Sequence, residues 1–383
     1  MSGLQPVLVI PSSMPVFTPH QDAALAAVSA WLRQKPGNGG PGQVFRLFGY
    51  AGTGKTTLAR HIAEGVDGDV LFAAFTGKAA LVMRAKGCAK AQTIHSLIYR
   101  TRESGEETPS FDLWDDSPAA RAKLIVIDEC SMVDGDLGRD LLSFGTPLLV
   151  LGDPAQLPPI QGGGFFTEHE PDAMLTEVHR QAENDPIVRL SMQVRGGERL
   201  ALGDYGETQV VRRDELDPAR VLTADQVLVG RNATRRAYNV RMRERRGLAE
   251  ALPVAGDKLV CLRNNRRKGL FNGGLWIVRE RKSRKKTGIL SLRLTPDEEI
   301  GVHTVKASVR SECFTGGLEE LEWAQRKRYD EFDFGYVLTV HKAQGSQWND
   351  VVLFDESFAF PDSRARWLYT GITRAAKRLT VVT

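Results

Sequence analysis

The sequence predicts an α/β fold with two parallel-sheet domains, and three features carry that prediction. Short apolar runs alternate with amphipathic helical patterns, a glycine-rich loop joins one such run to a helix, and another run ends in adjacent carboxylates. Acids at the carboxyl end of a buried strand lie where ligands collect on a parallel sheet. At 383 residues the chain exceeds one ordinary core, so two large domains with smaller insertions are expected. A content of 42% hydrophobic and 26% charged residues is that of a soluble globular protein. No stretch is long and apolar enough to span a bilayer, and residues 1–11 lack the basic start of a signal peptide. Cys88, Cys130, Cys261 and Cys313 show neither metal-ligand nor redox spacing, which predicts reduced thiols in a cytoplasmic protein.

The glycine-rich loop is the most informative stretch. Residues 44–48 form an apolar, strand-like run and residues 58–63 a helical pattern, with Gly49-Tyr50-Ala51-Gly52-Thr53-Gly54-Lys55-Thr56-Thr57 between them. Gly49, Gly54, Lys55 and Thr56 satisfy the G-x-x-x-x-G-K-T spacing. Small residues such as Ala51 and Gly52 let the backbone N–H groups, through Thr53 and on to Thr57, wrap a phosphate at a helix N-terminus. Lys55 then reaches the β- and γ-phosphates, and the Thr56 hydroxyl suits Mg²⁺. This predicts a nucleotide-phosphate site.

Residues 124–127 are apolar and end in Asp128 and Glu129. Asp128 suits the hydration shell of Mg²⁺, and Glu129 can polarise an attacking water. Residues 147–151 deliver a second loop in which Gln156 would lie near a γ-phosphate. Arg180 follows at the end of another short run, where a surface ion pair is the alternative that spacing alone leaves open.

Before the loop, residues 22–32 form an amphipathic helix with Thr18 as N-cap and Pro19 at its first position. Gln21, read alone, says little. A loop at 36–42 precedes the first strand, and residues 70–74 make another strand. Thr76, Lys78, Thr93 and His95 follow at loop-to-helix junctions. Hydroxyls, a cation and an imidazole there suit a phosphodiester backbone, although helix capping explains each alone. Residues 100–118 interrupt the α/β rhythm and suggest a short hairpin. Its Phe111 and Trp114 either stack on bases or pack the hairpin onto its host.

In the second half, residues 185–194 read as a helix, 227–230 as a strand, and 231–246 as a strongly basic helix containing Asn232 and Arg235. From 256 to 331 the pattern becomes short β-like runs, with Asn272-Gly273-Gly274 as a turn. Arg263, Arg266, Arg267 and Lys268 form one basic group, and Arg279, Arg281, Lys282, Arg284, Lys285 and Lys286 another. Each is a solvated hairpin tip or a polyanion contact. The net charge of +4 permits a polyanionic partner without demanding one. A strand at 336–338 leads into Thr339-Val340-His341-Lys342-Ala343-Gln344-Gly345-Ser346, and a helix starting near Arg366 is expected to carry Arg374.

Taken in order, GYAGTGKTT, FTGKAA, TIHSL, VIDECSM, LGDPAQLPP, LTEVHRQ, TVHKAQGSQ and YTGITRA resemble the motif series of superfamily 1 helicases. The last two, with the VIDECSM and LGDPAQLPP forms, are most similar to the RecD/Dda-like branch. The resemblance runs from about Gln21 to the C-terminus. It implies two RecA-like P-loop NTPase domains, residues 1–185 and residues 186–255 with 332–383, with ATP between them. A pin-like hairpin at about 99–120 and an SH3-like β-barrel at 256–331 would be the insertions. By position, Gln21 would read adenine, Lys55 and Thr56 hold phosphate and Mg²⁺, and Asp128 support the metal. Glu129 would activate water, Gln156 sense the γ-phosphate, and Arg180 and Arg374 supply arginine-finger charge, worth roughly 10³–10⁵ in rate. Thr76, Lys78, Thr93, His95, Asn232, Arg235, Thr339, His341 and Ser346 would contact DNA, with Phe111 and Trp114 at the duplex fork. Gln347 replaces a glutamate that relatives often place on the ribose. The implied activity is an ATP- and Mg²⁺-dependent DNA helicase moving 5′→3′ on single-stranded DNA, acting on forked duplex in repair, recombination or replication. No accessory nuclease or partner-docking domain is evident. The alternatives are a DNA-stimulated translocase that displaces proteins, a subunit of a recombination or nuclease complex, and a small-molecule kinase.

Overall fold

The computed structural model describes residues 17–34, 42–101, 111–158, 164–177, 185–248, 250–284, 288–297 and 304–383. The expected loop at 36–41, the hairpin tip at 102–110, Arg180, and Lys285 and Lys286 lie outside the described residues.

The first sheet contains β1 (Val44–Gly49), β2 (Val70–Ala74), β3 (Gln92–Thr93), β6 (Leu124–Asp128), β7 (Leu148–Gly152) and β8 (Ala173–Leu175). Between β3 and β6 the chain makes a separate antiparallel pair, β4 (Tyr99–Thr101) with β5 (Phe111–Leu113). The sheet order is β3-β2-β6-β7-β1-β8, parallel throughout. The near-continuous apolar character of these strands follows from burial on both faces. Along β6, Leu124 and Val126 pack into one core while Ile125 and Ile127 pack into the other. Helices α1 (Pro19–Arg33), α2 (Lys55–Glu64) and α3 (Gly77–Ala85) cover the first face; α4 (Ile94–Ile98) and α5 (Gly135–Ser143) cover the second.

The second sheet contains β9 (Gly203–Tyr205), β10 (Thr208–Val211), β11 (Gln226–Val229), β17 (Val337–Thr339), β18 (Trp348–Phe354) and β19 (Ala375–Val382), in the order β17-β11-β18-β19-β10-β9. Only the β9–β10 edge pair is antiparallel. Helices α6 (Pro186–Arg195) and α9 (Arg364–Ile372) pack on one face, and α7 (Pro218–Thr223) and α8 (Asn232–Arg245) on the other. Helix α9 ends at Ile372, so Arg374 sits in the turn entering β19 and not in the helix expected to carry it.

A third, antiparallel sheet falls between β11 and β17 in the chain. It comprises β12 (Lys258–Cys261), β13 (Leu275–Arg284), β14 (Ile289–Pro296), β15 (Val305–Arg310) and β16 (Phe332–Phe334), ordered β15-β14-β13-β12-β16. A bulge between Val278 and Glu280 bends β13. A bridge from Val309 to Asp330, with Asp330 N donating to Ser308 O at 2.7 Å, draws the β15 edge toward the segment leading into β16. Part of the first basic group has internal partners. Arg263 lies 3.3 Å from Glu331 and Lys268 2.6 Å from Asp330, so these two side chains are ion-paired within the sheet's own loops.

Cys88, Cys130 and Cys261 are buried free thiols, and burial pushes Cys261 up to about 12. Among the described residues no helix is long and apolar enough to cross a membrane.

Candidate active site

The carboxyl ends of β1, β6 and β7 face residues 345–347 and 373–374 of the second sheet across a cleft of about 340 Å³. The loop after β1 is shaped by its glycines. Gly52 and Gly54 both sit at φ +80°, a backbone region that side chains with a Cβ avoid. Gly49 has no room for a Cβ, which would lie 2.7 Å from Thr53 Oγ1 and 2.8 Å from Leu175 Cβ. Lys55 and Thr56 therefore open α2 directly at the cleft. The Lys55 ammonium donates to the carbonyls of Gly49 and, at 2.9 Å, Tyr50.

Thr56 Oγ1 donates to Asp128 Oδ2 at 3.1 Å. These two hard oxygens fit Mg²⁺, which takes one or two protein oxygens and completes its octahedron with phosphate and water. Asp128 Oδ1 accepts from the Glu129 N–H at 2.9 Å. Glu129 itself adopts φ 56°, ψ 42°, a left-handed conformation costly for a residue with a Cβ. Burial, together with the neighbouring Asp128 charge, raises its carboxyl above the ordinary range, against the pull of Arg374 and Lys55. A half-buried carboxylate in that position is chemically suited to take a proton from water.

Gln156 is buried, its Nε2 lies 3.5 Å from Asp153 Oδ2, and its Oε1 has no hydrogen-bond partner among the described residues. Across the cleft, the buried Arg374 guanidinium donates to Thr370 O (3.0 Å), Ser346 O (3.1 Å) and Thr373 Oγ1 (3.1 Å). Gln347 lines the cleft at its exposed edge.

Gln21 does not line this cleft. Its Oε1 accepts from Thr18 N at 3.0 Å while Thr18 Oγ1 accepts from Gln21 N, a capping box, and its Nε2 donates to Thr53 O at 3.0 Å. Both ends of the amide expected to read adenine thus have protein partners, and Gln21 anchors the phosphate loop from behind.

The residues predicted to touch a nucleic acid are more dispersed. Thr76 and Thr93 cap α3 and α4 through their hydroxyls. Lys78 is buried between the lobes, its ammonium 4.5 Å from the centre of the Trp348 ring, so it is not an open surface cation. His95 is exposed between Phe75 and Tyr99. Trp114 is half-buried at the base of the hairpin with Arg100 4.2 Å above its ring, the packing alternative for this residue. Phe111 lies in β5, where its side chain is outside the described part. Asn232 is exposed at the start of α8, and Arg235 is ion-paired to Asp333 at 2.7 Å. Thr339 Oγ1 accepts from Lys342 N, His341 lies 5.1 Å from Phe360, and the Ser346 carbonyl holds Arg374. A Cβ on Gly345 would stand 3.1 Å from Thr76 Oγ1, so these two loops of opposite lobes meet.

Residues 39–215 match the AAA domain family, and residues 334–382 match the UvrD-like helicase C-terminal domain. The chain is 29% identical over 353 residues to the ATP-dependent RecD2 DNA helicase of Deinococcus radiodurans, covering 87% of this chain and 46% of that protein. It is 32% identical over 164 residues to the ATP-dependent DNA helicase dda of Enterobacteria phage T4, covering 39% of this chain and 37% of that protein. The chain is thus similar to DNA helicases along most of its length. It spans less than half the length of these two relatives. The fold of the chain is shared with a structure of Pif1 helicases described for unwinding at forked duplex DNA, at a TM-score of 0.59 and 18% identity, over 96% of this chain and 92% of that one. It is also shared with Candida albicans Pif1, at a TM-score of 0.54 and 17% identity, over 97% of this chain and 95% of that one.

Several contacts of the chain involve residues outside the predicted site set. Tyr369 reaches from α9 to the phosphate loop, Thr370 and Gln344 hold Leu157, and Arg195 lies 3.6 Å from the Tyr50 ring centre. Asp153 and Tyr369 stand inside two of the quoted motifs, but their pairing across 216 positions has no local signature.

Proposed function

We propose that the chain is an ATP-dependent DNA helicase that translocates 5′→3′ on single-stranded DNA and separates forked duplex. The observation that carries this reading is the cleft itself: Lys55, Thr56, Asp128, Glu129 and Gln156 on one lobe face Arg374 on the other. In this reading Lys55 and the loop N–H groups bind the triphosphate, Glu129 accepts the proton of the attacking water, and Gln156 reports the γ-phosphate. Mg²⁺ held near Thr56 and Asp128 supplies charge neutralisation at the transferring phosphate. Arg374 must exchange its carbonyl partners for phosphate oxygens, an exchange that ties hydrolysis to lobe closure. Arg180 is assigned the second arginine charge on the motif pattern alone.

The motor domains are taken as residues 1–185 and residues 186–255 with 332–383. The segment 256–331 is taken as an SH3-like barrel, supported by the bridge from Val309 in β15 to Asp330 in the segment leading into β16. The β4–β5 pair would be the pin. Single-stranded DNA would run over the loops bearing Thr76, Thr93 and His95 and then those bearing Asn232, Thr339 and His341.

The test is unwinding of duplexes with a 5′ or a 3′ tail, with ATP and with a nonhydrolysable analogue, beside a Lys55→Ala control. The 5′-tailed substrate should open only with ATP and only in the parent protein. Equal opening of both tails would overturn the polarity, and DNA-independent ATP turnover would overturn the motor reading.

A further inference from the structure

Tyr369 is fully buried at the boundary between the lobes, and its hydroxyl uses both hydrogen-bonding capacities across that boundary. It accepts from the Ala51 N–H of the phosphate loop at 3.2 Å and donates to Asp153 Oδ2 at 2.6 Å. Asp153 in turn accepts from Ala155 N at 3.0 Å and stands 3.5 Å from the Gln156 amide. The next residue of the helix repeats the pattern: Thr370 Oγ1 accepts from Leu157 N at 3.0 Å. Gln344 Nε2 donates to Leu157 O at 3.0 Å, and the Leu157 side chain packs in the core of the second lobe. The loop 153–157 of the first lobe is therefore gripped by the second lobe through main-chain and side-chain atoms together. Burial and the adjacent Asp153 charge raise the Tyr369 pKa, so the hydroxyl keeps its proton and remains a donor.

We propose that Tyr369 is a positioning residue that joins the phosphate loop, the Asp153–Gln156 pair and the Arg374 turn into one mechanical unit. The inference rests on the nucleotide site proposed above. Ala51 N–H belongs to the set of amides that wrap a phosphate, and a phosphate oxygen is a stronger acceptor than a phenol. Filling the loop thus competes for the donor that Tyr369 holds. Because Thr373 N donates to Tyr369 O at 3.0 Å and Arg374 Nε to Thr370 O at 3.0 Å, a shift at the end of α9 is passed to the Arg374 turn. Tyr369 does not line the cleft, so its action passes through Asp153, Ala51 and Arg374.

Tyr369→Phe keeps the ring and deletes only the oxygen. Two quantities are read: kcat of DNA-stimulated ATP hydrolysis, and the ratio of single-stranded-DNA affinities measured with a nonhydrolysable ATP analogue and with ADP. The expected result is a fall in kcat of about 10–100-fold, the scale of losing buried hydrogen bonds in a transition state, and an affinity ratio that collapses toward one. Asp153→Ala, which removes the acceptor, should collapse the ratio too, and the double variant should be no worse than Asp153→Ala alone. A purely structural role would lower the melting temperature while leaving the ratio intact, and that result overturns the proposal. So does a Tyr369→Phe protein with parental kcat and ratio. If the parent protein shows neither ATP turnover nor a nucleotide-dependent DNA affinity, the nucleotide reading itself falls and takes the proposal with it.

Discussion

The Thr56 hydroxyl donates to Asp128 Oδ2 across 3.1 Å, joining the first turn of α2 to the end of β6. The bond holds together the two oxygens most suited to a divalent cation. Thr56→Val keeps the shape and removes the hydroxyl. Its Mg²⁺ requirement for ATP hydrolysis should rise about 10–100-fold, the usual cost of a lost metal-site partner. A Mg²⁺ titration of turnover at saturating ATP checks this.

Glu129 combines a left-handed backbone with a half-buried carboxyl that desolvation raises above its ordinary value of 4.5. Turnover should fall as pH drops through that raised value, because the protonated acid cannot accept a proton. The stability sign is the opposite. Below 4.5 the acid is neutral in both folded and unfolded chains; as pH rises through the folded pKa, ionisation in the half-buried site removes stability. Glu129→Gln should therefore abolish turnover yet melt at a higher temperature than the parent at neutral pH, with the difference vanishing in acid. Melting curves from pH 4 to 8 test it.

Asp257 is fully buried and accepts from Arg243 Nε (2.8 Å) and Nη2 (3.0 Å), Tyr336 OH (3.0 Å) and Val254 N (2.8 Å). Burial, reinforced by Asp257, pushes the Tyr336 phenol up to about 12. Asp257→Ala leaves a buried guanidinium without its counter-ion and should cost about 3–5 kcal/mol. The urea midpoint of the second lobe should fall accordingly, and Asp257→Asn, which keeps an acceptor, should fall less.

Gln21 holds Thr53 O from behind the phosphate loop. Gln21→Ala should raise KM for ATP and GTP by the same factor, since the loop proposed to bind phosphate is loosened whatever the base. Selective loss of ATP over GTP would instead return Gln21 to reading adenine. Parallel kinetics with the two nucleotides decide between these outcomes.

Strands β1, β2, β6 and β7 were legible because burial on both faces writes an unbroken apolar run. The three-residue strands β8 and β9 were not, since their place in the sheets depends on neighbours far along the chain. The cleft side chains were legible for a related reason: Lys55, Thr56, Asp128 and Glu129 lie at spacings set by one loop and one strand end. Gln21 shows the limit. The Thr18–Gln21 spacing of a capping box was present in the sequence, but the bond to Thr53, 32 positions away, was not. The ion pairs within the basic group at 263–268 have no local signature either, because Glu331 and Asp330, which pair with Arg263 and Lys268, stand far along the chain just before β16.

The pairing of β12 with β16 has a consequence for how the chain reaches this state. Strand β11 finds both of its neighbours, β17 and β18, only after residues 258–334 have been made. Leu259–Phe334 pairing brings the two ends of that stretch side by side and shortens the effective loop that β11 and β17 must close. In pulsed hydrogen exchange during refolding, the amides of β12–β16 should gain protection ahead of those of β17, with the third sheet acting as the jig on which the second is assembled.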